Sequence, residues 1–176
     1  MVRHVAVGHY SHPVHRPVAS VIHIDVVLPA GAWQTLEIGE PIGRAWSGAA
    51  ATGDGGSAVA GFGPEADIAV QRLGADLTPG WTIYEEGAFG TRIDALAGGP
   101  GGALAVVGRD DELGRAFVRV LAADGATVWT SVISGDGEDP TTWARAVEFG
   151  PDCVVAMGSA MSSGQPRMWL RRFTLD

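Results

Sequence analysis

The chain has 176 residues, about one domain's length, with 46% hydrophobic residues and a formal net charge of −8. The apolar fraction argues against a disordered tail, and the acidic balance argues against the basic stripe that a nucleic-acid surface needs. A single cysteine, Cys153, excludes an internal disulfide framework, and no apolar run approaches the roughly 20 residues of a membrane helix.

The predicted elements are short strands. Apolar runs last 4–8 residues, are rich in Val, Ile, Trp and Ala, and are bounded by Gly, Pro and Asp. In chain order, a first unit (about 1–43) carries runs ending at Gly8 and Asp25 and a strand opening at Trp33. A second (44–91) carries an alanine-rich strand at 45–51, runs ending at Gly61 and Asp76, and a strand opening at Trp81. A third (92–140) repeats this with 93–97, Gly108, Asp124 and Trp129. The fourth (141–176) carries 143–149 and runs ending at Gly158 and Asp176. Asp124-Gly125 between two such runs predicts a type I′ hairpin turn.

Three marker types keep one order and nearly one period. The tryptophans Trp33, Trp81 and Trp129 are 48 and 48 residues apart; the glycines are 53, 47 and 50 apart, and the aspartates 51, 48 and 52. Helical repeats of similar length need long segments of 3.6-residue period, and none is present. Four short strands in 40–50 residues predict a β-propeller blade, whose faces are buried only by neighbouring blades. The fold class expected is therefore all-β: a β-propeller arc of about four blades, two complete and two incomplete, with about 14 antiparallel strands.

The order Trp–strand, Gly-Gly or Gly-Pro, strand ending in Gly, strand ending in Leu-x-x-Asp-Gly-x-x-x-Trp resembles the bacterial propeller-repeat modules of large surface and secreted proteins. Residues Leu121, Asp124, Gly125 and Trp129 form the clearest copy. Leu73, Asp76 and Trp81 repeat it without the Gly, and the first copy stretches the Asp25-to-Trp33 gap to eight residues. The resemblance implies a binding or spacer element and brings no catalytic residues.

The first unit lacks an inner strand and the last lacks an outer one, so the ends predict an arc with an apolar blade face open at each end. Such an arc is a piece of a larger propeller or self-associates through its open end blades. The address follows the same choice: secreted or cell surface for a piece of a longer protein, cytoplasmic for a complete chain.

Among candidate ligand sites, the loops between second and third strands and the crossovers between units share one rim. Glu40, Glu65, Asp67, Glu85, Glu86, Asp110, Asp111, Glu112, Asp136, Glu138 and Asp139 fall there, 11 of the 20 acids. A rim of one sign attracts cations or basic partners, so a protein, glycan or cationic ligand is expected on it. The stretch 135–139 offers oxygens to Ca²⁺ but lacks the alternating ligands of a calcium loop. His9, His12 and His15, at three-residue spacing, are the transition-metal candidates, although Pro13 and Pro17 oppose a helix that would align them. With no Lys in the chain, the Gly98–Gly102 stretch is a turn and not a phosphate loop. Cys153 opens an apolar strand and reads as a buried structural thiol. The leading function is a non-enzymatic binding or spacer scaffold. The alternative is part of a propeller glycosidase or lyase, which requires acids or histidines from several blades in one pocket.

Overall fold

The computed structural model describes residues 5–9, 22–27, 33–37, 45–62, 68–85, 91–110, 113–135 and 141–175. Among them the all-β expectation is met: fourteen strands form four antiparallel sheets, each a simple meander. Sheet 1 is β1 (Val5–His9), β2 (Ile22–Val27) and β3 (Trp33–Glu37). Sheet 2 is β4 (Ala45–Ala51), β5 (Ser57–Phe62), β6 (Ile68–Leu73) and β7 (Pro79–Glu85). Sheet 3 is β8 (Thr91–Gly98), β9 (Leu104–Asp110), β10 (Arg115–Leu121) and β11 (Thr127–Ile133). Sheet 4 is β12 (Thr142–Phe149), β13 (Cys153–Ser162) and β14 (Gln165–Thr174).

Alternation along each strand sends side chains to two faces, and both need cover. In sheet 2, Ala58, Ala60, Ile68 and Val70 face forward and bury against Leu104, Val106, Phe117 and Leu121 of sheet 3. In sheet 3, Ala105, Val107, Ala116, Val118 and Val120 face the other way, against Val147, Val154 and Ala156 of sheet 4. Sheet 3 is thus covered on both sides, which is why Leu104–Val107 reads as an unbroken apolar run.

A β-bulge recurs at one register. Opposite Gly61, Gly108 and Gly158, the pairing slips between Trp46 and Gly48, Ile93 and Ala95, and Ala144 and Ala146. The extra residues are Ser47, Asp94 and Arg145. A Cβ on Gly108 would collide with the Arg92 carbonyl and the Phe117 ring; one on Gly158 would collide with the Trp143 carbonyl and the Trp169 ring. At Gly108 and Gly158 a side chain is excluded because the bulged inner strand and a large cross-strand ring both crowd that position; Gly61 faces the small Ala69 instead.

The turns correct two expectations. Asp76 and Asp124 do not close strands but sit in turns beyond β6 and β10. The Asp124-Gly125 turn is not type I′. Gly125 alone has positive φ, its amide donates to the Ala122 carbonyl at 3.0 Å, and Asp124 accepts the Ala126 amide at 3.0 Å. The same turn recurs at Gly74–Thr78, with Leu77 at φ 66 in place of the glycine. The two-residue turn with both φ values positive is Ser163-Gly164, between β13 and β14. A leading aspartate supplies an acceptor inside the turn, so it marks this wider turn as readily as the tight one.

The tryptophan markers Trp81 and Trp129 reach between sheets. Trp81 stands in β7 and donates its indole N–H to the Ala123 carbonyl of sheet 3 at 2.7 Å. Trp129, at the same place in β11, packs on Phe173 of sheet 4 with ring centroids 5.4 Å apart. Gly125→Ala should destabilise the fold by about 1–3 kcal/mol, because φ is +89° and the new methyl meets the Trp81 ring at 3.0 Å. Gly164→Ala, with φ +73° and nothing within 4 Å, should cost about 1 kcal/mol or less. Denaturant melts of the two variants compare strain with and without the clash.

Candidate functional site

The inner-strand bulges bring charge together where sheets 3 and 4 meet. Asp94, the extra residue of β8, is only 15% exposed and lies 3.3 Å from Arg92 Nε and 3.7 Å from Arg145, the extra residue of β12. Arg92 and Arg109 are directly opposed across β8 and β9, a like-charge pair that Asp94 offsets. The Arg109 guanidinium lies over the Trp143 ring, 5.0 Å from its centroid. The cluster carries three guanidiniums against one carboxylate. It can fasten sheet to sheet and can hold an oxygen-rich group through donated hydrogen bonds. None of its members is a nucleophile.

This cluster was not visible in the sequence. Asp94 and Arg145 are 51 positions apart and look like ordinary polar residues of alternating strands. Counting back from the marker glycines to a residue out of step with the alternation is the signal that finds them.

Strands β5, β7, β9 and β11 finish at this same end, and the acidic rim is expected in the segments beyond the strand ends. Most of it, namely Glu40, Glu65, Asp67, Glu86, Asp111, Glu112, Asp136, Glu138 and Asp139, lies outside the described residues. Glu85 closes β7. Asp110 closes β9, and its carboxylate accepts the Leu113 amide at 3.0 Å, so it acts as a turn cap. His9 closes β1, while His12 and His15 lie outside the described residues. Among the described residues no group of three His, Cys, Asp or Glu could hold a metal ion, and no helix is long and apolar enough to cross a membrane. Cys153 is buried. Gly98 ends β8 and Pro100–Gly102 form a short 3-10 turn.

The opposite end carries the Asp turns, and two of them hold a clasp. Asp54, between β4 and β5, pairs with Arg72 of β6 at 2.6 Å. Arg72 is buried, and its other guanidinium nitrogen donates to the carbonyls of Ser57 and Leu73. Asp152 and Arg172 repeat the pair in sheet 4 at 2.7 Å, on the surface. In sheet 3 the register position of Arg72 and Arg172 is Val120, and the Gly99–Ala103 turn holds no Asp. Charge and partner are present or missing together. The Thr52 hydroxyl holds the Asp54 carboxyl down to about 2; burial opposes this, while the Gly56 amide and Arg72 reinforce it. Asp76 is lowered by Thr78, and Asp152 by Arg172.

No protein-family model matches the chain, and no curated protein does.

Asp54→Ala should cost about 2–3 kcal/mol, because it strands the buried Arg72 charge. Asp54→Ala combined with Arg72→Val should cost less than Asp54→Ala alone, as in sheet 3, where both groups are missing; a double-mutant cycle by chemical denaturation checks this. The depressed Asp54 carboxyl stabilises the fold fully above its ordinary value of 3.8 and loses that contribution as pH falls toward about 2. Acid melts of Asp54→Asn should lack this part of the decline.

Proposed function

We propose that the chain is a β-propeller repeat module, an arc of about four blades, acting as a non-enzymatic binding or spacer scaffold. One observation carries the reading. The inner-strand bulge recurs in three successive sheets, and the tryptophan contact and the Asp turn recur in two or more. Repetition of this kind builds a stack whose loops at one end vary freely while the frame stays fixed. The marker order resembling bacterial propeller-repeat modules of surface and secreted proteins agrees with it.

Ligand capture is assigned to the loop rim beside the Asp94 cluster. The rim's acids suit a cation, a basic protein segment or the hydroxyls of a glycan, and Trp143 at the same end offers an aromatic face. The charged groups described at the other end are used within their own turns and clasps.

Titration with decalysine, Tb³⁺ and a neutral oligosaccharide, followed by tryptophan fluorescence, tests the reading. At least one probe should bind more tightly than about 1 mM, and neutralising Glu65, Asp67, Asp136, Glu138 and Asp139 together should weaken decalysine or Tb³⁺ several-fold with an unchanged melt. Absence of binding by all three, or release of new reducing ends from a polysaccharide by the purified chain, would overturn it.

A further inference from the structure

We infer that the forward face of sheet 4 is a docking surface for sheet 1 of a second copy of this chain, stacked head to tail. Strand register puts the sheets in correspondence. The marker glycine pairs with Ala69 in sheet 2, Phe117 in sheet 3 and Trp169 in sheet 4. The residues on either side of that partner point forward. In sheet 2 they are Ile68 and Val70, 5% and 3% exposed; in sheet 3, Ala116 and Val118, both 0%. In sheet 4 they are Met168 and Leu170, 78% and 71% exposed, with Met157 of β13 beside them. The same positions are core in two sheets and bare apolar surface in the third. Adjacent exposed Met and Leu side chains on one sheet face mark an interaction site.

What covers the equivalent positions identifies the occupant. Sheet 2 is covered by Phe117 and Leu121 of the following sheet, and sheet 3 is covered by sheet 4, with Trp169 and Phe173 packed on that core. Sheets 3 and 4, in covering the sheet before them, each place a ring opposite the marker glycine and an apolar residue four positions on, whereas sheet 2 has Ala69 and Leu73 there. In β2 those register positions are His23, paired with Gly8, and Val27. Sheets 2, 3 and 4 each already follow a neighbour; sheet 1 has none before it among the described strands. A second copy thus supplies a sheet of the required register. β14 also ends sheet 4 with a strand edge that no described strand pairs. The contact is heterologous, so two copies satisfy each other only if the stack curves into a ring, and otherwise form longer assemblies. Docking rests on the register equivalence, and ring closure rests on the propeller reading.

Sedimentation and light scattering on the whole chain test it. The wild type should run heavier than one 18.2 kDa chain at micromolar concentration. Leu170→Asp should reduce it to a single chain with an unchanged circular dichroism spectrum, and Met168→Lys should do the same where Leu170→Asp disturbs folding. Val132→Asp, on the exposed side of β11, should leave the assembly intact. A wild type that stays a single chain, or an assembly that survives both sheet 4 variants, would overturn the docking. Disulfide-linked pairs of Leu170→Cys chains would also overturn it, because they place two sheet 4 faces against each other. Decalysine binding by the Leu170→Asp single chain keeps the rim reading separable from this one.

Discussion

An apolar face on each side of a sheet such as sheet 3, covered only by other sheets, is the constraint on which this structure depends. Burying an aliphatic side chain is worth roughly 1.5–3 kcal/mol, so a layer such as β9, with Leu104, Ala105, Val106 and Val107 all buried, has no stable existence alone. The remaining regularities serve that stacking. Opposite two of the bulges, Gly108 and Gly158 let a phenyl or indole ring lie across the sheet. Trp81 and Trp129 close the outer margin by reaching into the following layer. The turns at one end keep the strands in step so that the two patterns of alternation stay aligned.

Charge is placed where stacking alone leaves a problem. Arg72 occupies a position that sheet 3 fills with Val120, and it is tolerated because Asp54 and two carbonyls meet it. Arg92 and Arg109 oppose each other across paired strands, and Asp94 projects from a bulge beside them. In both cases an aspartate from an irregular piece of backbone answers an arginine from a regular one. Turns and bulges can reposition a short acid, whereas a strand fixes the direction of a long base.

Strand content was legible in the sequence because short apolar runs between Gly, Pro and Asp have few other outcomes. The inner strand predicted at 45–51 coincides with β4, and the periodic tryptophans lie in strands β3, β7 and β11. Turn geometry was less legible. Asp124-Gly125 satisfies two turn types with one dipeptide, and only the hydrogen bonds from Gly125 and Ala126 separate them. The Asp94–Arg145 contact was hidden because it depends on a one-residue slip in each of two strands, and a slip leaves composition unchanged. The Asp–Arg clasps were hidden for a related reason: the acid precedes its base by 18 or 20 positions, which is meaningful only once the meander is known.

The meander itself has a kinetic corollary. Among the described residues each strand hydrogen-bonds to the strand beside it in the chain, and no sheet borrows a strand from a distant segment. Closing the hairpins of sheets 2 to 4 brings together ends a few residues apart, a cheap step entropically, so layers can form one after another as the chain leaves the ribosome. Damage to one layer is then felt chiefly by those it touches, and the polypeptide can lose order at one extremity while the other remains folded.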